Sequence, residues 1–352
     1  MKTQVIKVNP EVPEEKIIKQ AANILTWGGI VIIPTETVYG IVANSQNRQA
    51  IKRLYKIKER PEDKPFSIII ERKERIEEFA KDIPILAYKL IDKFWPGLLT
   101  LVLAADKEKI GLRMPDHPFA LRLIAEVKFP LACPSANITK KNAPKDLQSA
   151  LLDLDGQVEL AIDAGPCRIG IESTVVDLTQ KPFSILREGA LKADEIKKAV
   201  AKKDVLFVCT GNSCRSVMAK ALLEKRLREK NRQDVEVFSC GMAMIEGLSP
   251  TAETATLLQE EGIDVSGYRS QKMTTLMLKK SDTIFVMEKM QETRISELVP
   301  QVKNRLFLLK EFAKIEDGSG LDIADPIGRP IEDYKKTFAL IKEAIDRVVE
   351  VI

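Results

Sequence analysis

Histidine is almost missing from this chain: His117 is the only one in 352 residues. That excludes a zinc centre built on several imidazoles and leaves little for a Ser-His-Asp triad to be made from. Cysteine is scarce as well. Five thiols (Cys133, Cys167, Cys209, Cys214, Cys240) do not make a disulfide framework in so long a chain, and no spacing gives paired CxxC metal ligands. Long apolar runs are absent, none reaching the roughly 18 residues of a membrane span. The opening "MKTQVIKVNPEVPEEK" has no secretory core. These absences predict a reducing, cytoplasmic setting with no membrane partner. Charge of one sign is also lacking: the net +4 comes from 31 Lys and Arg against 27 Asp and Glu in residues 1–200, with 24 against 24 in 201–352. An anionic ligand in the first half fits so small an excess, and so does a solvated surface.

What is present is the balance of a globular protein, 45% hydrophobic and 30% charged, long enough for two cores. No internal repeat or low-complexity tract appears. In the first half, strand patterns ("IVIIP", "PFSIII", "LLTLVLAA", "VELAIDA", "STVVDLT") mix irregularly with helical ones ("NRQAIKRLYKIKER", "HPFALRLIAEV", "DLQSALLDL"). The second half alternates more regularly: "DVLFVC", a helix from Ser216, "VEVFSCG", "TAETATLLQEEG", "DTIFVME", "RLFLL", and a last helix from Ile331. Strands separated by such helices imply right-handed crossovers and a parallel sheet. Helix "ADEIKKAVAKK" runs straight into Asp204, so the expected domains are 1–200 and 201–352. The fold class is α/β, a twisted mixed sheet with helices followed by a doubly wound parallel sheet. Ligands then belong at the carboxyl ends of the second domain's strands.

Cys209 sits at such an end, followed by Thr210, Gly211, Asn212, Ser213, Cys214 and Arg215 before a helix. Small residues between a strand and a helix N-terminus can aim backbone N–H groups at one point, where the helix dipole adds positive potential. An anion is favoured there. The same field favours thiolate over thiol; lowering a thiol pKa by ~2–3 units needs roughly 3–4 kcal/mol. The Arg215 fork matches two phosphate oxygens. With no histidine in this half, a carboxylic acid must protonate the leaving group, and Asp325 in "DIADPIG" is the candidate. Cys214 is either a resolving thiol for Cys209 or a small buried hydrophobe.

"VCTGNSCRS" with a distant "DP" resembles the low-molecular-weight protein phosphatase family over 204–352. The resemblance implies that family's fold, a phospho-cysteine at Cys209, transition-state contacts from Arg215, and Asp325 as acid and then base, without a cofactor. It also implies that Asn212 holds the loop and that Ser216 hydrogen-bonds the sulfur. Ser213 is polar and Ile327-Gly328 follow the Asp-Pro, a pattern similar to the protein-arginine phosphatase branch; tyrosine phosphatases of this family tend to carry apolar and aromatic residues there. Phosphoproteins are the implied substrates.

In the first half, "IIPTETVYG", "YKIKERPEDKPF", "RMP", "PSAN", "IGIESTVVD" and "ILREG" occur in order. Cations in a last helical turn, such as Lys56 and Lys58, are commonly dipole complements. Together, however, these motifs resemble the YrdC-like threonylcarbamoyl-AMP synthase family across nearly all of 1–200. The implied reaction joins ATP, L-threonine and bicarbonate into threonylcarbamoyl-adenylate for the tRNA-modification machinery. That chemistry needs positioning and charge neutralisation rather than a protein nucleophile. The match assigns Lys58 and Arg60 to the triphosphate, aided by Mg²⁺. It assigns Ser135, Asn137 and Arg187 to the nucleotide, and Thr35, Arg113, Ser173 and Thr174 to threonine and its carbamate. Ile69 stands where many members carry histidine. A competing expectation makes this half an RNA-binding module without synthase activity, joined to a tyrosine phosphatase. His117 is expected to begin a helix at the surface.

Overall fold

The sequence pattern assigns no element to the opening stretch, yet Gln4–Lys7 forms an edge strand, β1. Its residues are exposed apart from a half-buried Ile6, so it lacks the alternation that betrays a strand. β1 pairs in parallel with β8 (Leu160–Asp163) in the computed structural model, which describes residues 2–106, 108–242 and 246–352. The chain divides into two compact units, residues 1–199 and 200–352.

The remaining strands of the first unit are β2 (Val31–Ile33), β3 (Gly40–Asn44), β4 (Ile68–Ile69), β5 (Leu99–Ala104), β6 (Lys109–Arg113), β7 (Leu131–Ala132), β9 (Thr174–Asp177) and β10 (Ser184–Arg187). They join one mixed sheet in the order β1-β8-β2-β3-β7-β4-β6-β5-β9-β10. Helix Glu15–Thr26 buries Ile17, Ile18, Ala21, Ala22 and Leu25, the 3.6-residue stripe expected of it, against Phe119, Leu123 and the β2 and β8 side chains. Each of the buried Ile and Leu side chains contributes ~1.5–3 kcal/mol. Helix Arg48–Lys58 starts at Asn47, whose Oδ1 accepts from Gln49 and Ala50 N–H, and ends at Glu59 with φ +46°. That stop fixes where Lys58 and Arg60 emerge. His117 does cap a helix, Pro118–Glu126, its Nδ1 accepting from Phe119 N–H. The ring is partly buried rather than on the open surface, and burial lowers its pKa.

In the second unit β11 (Lys203–Cys209), β12 (Val235–Gly241), β13 (Thr283–Val286) and β14 (Leu306–Leu308) are all parallel, in the order β12-β11-β13-β14. Alternation along β11 sends Val205, Phe207 and Cys209 to one face. There they pack with helices Arg215–Glu229 and Ile331–Val348. Leu206 and Val208 go to the other face, against Leu278, Ile295 and Val302. Helices therefore cover both faces, as a parallel sheet requires. Phe285 stacks on Phe207 at 5.5 Å and meets Phe312 edge-on at 5.0 Å. Helices Thr275–Lys280 and Lys289–Leu298 were not marked by periodicity; the first is too short and the second buries only Gln291 and Ile295.

Candidate active sites

Cys209 is the last residue of β11 and pairs with Gly241 of β12. Its side chain is 2% exposed. The chain then turns sharply, with Asn212 in the left-handed region at φ +52°, and enters helix Arg215–Glu229. The turn is over-determined: Asn212 Oδ1 accepts from Gln271 N–H at 2.8 Å, and Asn212 Nδ2 donates to Ser216 Oγ at 2.9 Å. Because Ser216 Oγ already accepts from Asn212, its own hydrogen is free for Cys209 Sγ, 3.0 Å away. Asn212 N–H donates to the same sulfur at 3.2 Å. The sulfur is thus the acceptor of two aimed donors. β12 presses on the loop where it has no side chain: a Cβ on Gly241 would lie 2.9 Å from Thr210 O and 3.1 Å from Asn212 N.

Arg215 is 1% exposed. Its Nη1 donates to Ile323 O at 2.8 Å and lies 3.2 Å from Glu288 Oε1; its Nη2 pairs with Asp325 Oδ2. Its Nε is buried with no hydrogen-bond partner among the described residues. A buried donor without a partner costs ~1–3 kcal/mol, and an oxyanion over the loop would offset that cost. Asp325 is set by its turn, Oδ1 accepting from Ile327 N–H at 3.2 Å, and by Ile323 N–H donating to Met287 O at 2.8 Å. Cys214 is buried, its Sγ against Ser213 Oγ (3.7 Å), Thr251 Oγ1 (3.5 Å) and Tyr334 Oη (3.8 Å).

The first unit holds a cavity of about 920 Å³ lined by Thr35, Lys58, Arg60, Arg113, Ser135, Ser173 and Arg187, among others. Lys58 Nζ donates to Ser135 O (2.6 Å), Asn137 O and Asn137 Oδ1 (3.1 Å), so all three ammonium hydrogens hold the Ser135–Asn137 loop. Burial pushes this ammonium down to about 8, with Arg60 adding to the shift. Arg113 is gripped by buried Glu36 and by Thr37 Oγ1 at 2.7 Å. Arg187 donates to Ser173 O at 2.9 Å and to Glu172; burial lowers its pKa. Lys64 and Lys109 line the cavity as well, which makes six cationic side chains against Glu62, Asp63, Glu108 and Glu172; the cationic excess favours an anionic group.

A Sua5/YciO/YrdC family model, described as telomere recombination, matches residues 23–189, and one for low molecular weight phosphotyrosine protein phosphatase matches 204–352. The threonylcarbamoyl-AMP synthase of Pyrococcus abyssi is 41% identical over 210 residues, covering 57% of this chain and 62% of that protein. A putative threonylcarbamoyl-AMP synthase of Methanocaldococcus jannaschii is 34% identical over 209 residues, covering 56% of this chain and 99% of that protein. The crystal structure of P. abyssi Sua5 complexed with L-threonine superposes with a TM-score of 0.54 at 27% identity, covering 97% of this chain and 98% of that one.

The chain joins a Sua5/YrdC domain to a low-molecular-weight phosphatase domain. It spans 62%, 56% and 53% of the first three curated synthases it matches, from P. abyssi, Bacillus subtilis and Schizosaccharomyces pombe. In the phosphatase domain, residues 209–216 form one loop and helix start, with Arg215 meeting Asp325 across 110 residues of chain. In the Sua5/YrdC domain, two of the nine residues singled out do not line the cavity. Thr174 Oγ1 is fully buried, donating to Leu191 O and accepting from Gly189 and Leu191 N–H, so it braces the 189–191 turn. Asn137 lies behind the wall, between Lys58 and Lys141 O. Ile69 does line the cavity. Sequence reasoning overlooked Tyr55 and Phe66, stacked at 4.3 Å on its wall, and Thr100, bonded to Ser173 Oγ at 2.9 Å. Tyr55 and Phe66 open and close the "YKIKERPEDKPF" motif, in which only the cations drew notice, and Thr100 lies in a strand that reads as ordinary core. In the phosphatase domain it overlooked Glu288 and Gln291, which lie in no recognisable motif.

Proposed function

We propose that the chain is a bifunctional enzyme. The Sua5/YrdC domain forms threonylcarbamoyl-adenylate from ATP, L-threonine and bicarbonate for tRNA modification, and the phosphatase domain hydrolyses phosphoproteins, phospho-arginine before phospho-tyrosine. For the first activity, the carrying observation is the convergence of Lys58, Arg60, Arg113 and Arg187 on one cavity. Threonine's amine and bicarbonate give a carbamate and water. A carbamate oxygen attacks the α-phosphorus, and pyrophosphate leaves. Arg60, Arg113 and Arg187 neutralise charge, while Lys58 fixes the Ser135 loop and adds potential from behind. Mg²⁺ would enter as the counter-ion carried by the nucleotide's phosphates and would share in neutralising their charge.

For the second activity, the carrying observation is Cys209 Sγ held by Asn212 N–H and Ser216 Oγ, beside the unpartnered Arg215 Nε. The thiolate attacks phosphorus, and the P–N or P–O bond breaks. Asp325 gives its proton to the departing nitrogen or oxygen. Water then attacks the S–P bond with Asp325 as base, releasing phosphate and restoring the thiolate. Arginine is favoured by polar Ser213, by Ile327-Gly328 where a tyrosine site would want aromatic walls, and by the carboxylates of Asp325 and Glu288 beside the loop.

Two assays on the full chain test the reading. Pyrophosphate release should require threonine and bicarbonate together; its absence with ATP and Mg²⁺ present would leave an RNA-binding module instead. Phospho-arginine peptides should turn over faster than phospho-tyrosine peptides of the same sequence, and the reverse order makes the domain a tyrosine phosphatase.

A further inference from the structure

Arg215 is bracketed by two carboxylates, and the described mechanism uses only one of them. Asp325 holds Nη2; Glu288 Oε1 lies 3.2 Å from Nη1, with a side chain 24% exposed. Glu288 is itself held in place. Gln291, fully buried, accepts from Met287 N–H at 2.9 Å and donates through Nε2 to Glu288 Oε2 at 2.8 Å and to Thr210 Oγ1 at 3.2 Å. One amide thus ties the phosphate loop, through Thr210, to the carboxylate facing Arg215. With Nη1 and Nη2 occupied by protein acceptors, Nε is the donor the fold leaves over, and it has no partner among the described residues.

We propose that Glu288, oriented by Gln291, is a positioning residue that acts through Arg215: it holds the guanidinium at Nη1 while Asp325 holds Nη2 and, as a fixed negative charge at the edge of the anion site, limits how tightly phosphate is retained. The inference rests on the phosphatase reading given above. A dianion bound over the loop meets the guanidinium's attraction and the repulsion of Glu288 together, so product release is eased at some expense of ground-state affinity. Gln291 contributes by keeping that carboxylate from swinging into solvent.

The test is Glu288→Gln in the full chain, which keeps the shape and an acceptor for Arg215 but removes the charge. Inhibition of small aryl phosphate hydrolysis by inorganic phosphate should tighten by roughly fivefold, the size expected of a like charge removed near an anion site. The KM should fall with it. Glu288→Ala loses the acceptor as well, so kcat should fall about tenfold while Cys209 stays titratable by a thiol reagent. A phosphate inhibition constant that is unchanged or weaker in Glu288→Gln overturns the proposal, since damage to the fold loosens phosphate and cannot tighten it. If the unmodified chain neither hydrolyses the aryl phosphate nor binds phosphate, the phosphatase reading itself has failed. The two failures are therefore distinct.

Discussion

Lys58 shows how burial can tie one side chain's charge to activity and to stability with opposite signs. It is 3% exposed, and burial sets its ammonium at about 8 against an ordinary 10.5. As pH rises through about 8 the folded protein loses this proton, a donor to the Ser135–Asn137 loop and a positive charge behind the cavity. ATP-dependent pyrophosphate release should therefore decline on an alkaline limb centred near 8, seen mainly in the KM for ATP, and Lys58→Met should lack that limb at an activity reduced by tenfold or more. Stability moves the other way. Between about 8 and 10.5 the unfolded chain binds more protons than the folded one, so this residue's burial penalty, full below 8, is relieved as pH rises. Melting of the Sua5/YrdC domain against pH, native and Lys58→Met, checks the sign. Asn212 is the counterpart in the phosphatase domain. Asn212→Gly keeps the φ of +52° but loses the bonds to Gln271 and Ser216. A loss of about 1–3 kcal/mol in that domain's stability is expected, with at least a tenfold fall in phosphatase kcat/KM. Asn212→Ala should lose a further ~1 kcal/mol to backbone strain, measurable by denaturant titration.

At the scale of elements, β11 and β12 decide where the sulfur sits. The alternation in "VLFVC" was legible in the sequence, and it places Cys209 on the Phe207 face. The approach of β12 to the loop was not legible, because nothing in "VEVFSCG" says that Gly241 must pass under Thr210 and Asn212. Gly241→Ala would set a methyl 2.9 Å from Thr210 O. The loop must shift by several tenths of an ångström, so phosphatase kcat should fall by ~10²-fold, as misplacing a reacting group does, while pyrophosphate release by the other domain is unchanged. A Gly241→Ala protein with native phosphatase kcat would show that the loop tolerates displacement. Edge strand β1 and helix Lys289–Leu298 escaped the pattern for one reason: each buries too few apolar residues to impose a period. The second omission mattered, since that helix carries Gln291 and follows Glu288.

At the scale of the whole chain, two compact units, each with its own sheet, imply two unfolding events. Calorimetry should resolve two transitions, with Glu288→Gln and Asn212→Gly moving one and Lys58→Met the other. The two proposed reactions share no chemical intermediate, so Cys209→Ser should abolish phosphatase turnover and leave adenylate formation within twofold of native; a larger change would reveal coupling between the domains. Among the described residues no helix is long and apolar enough to cross a membrane.

The linear sequence by itself determined the two families, the α/β class, the cysteine loop with its arginine and distant acid, and most of the cationic cavity wall. Those features are short motifs whose residue types are dictated by local backbone and by chemistry. Tertiary structure alone decided that Thr174 braces a turn, that Asn137 stands behind Lys58, and that Glu288 faces Arg215 from the residue just before helix Lys289–Leu298. Which way a hydroxyl or carboxylate points depends on strand register and on neighbours far along the chain, and neither leaves a mark in the order of residues.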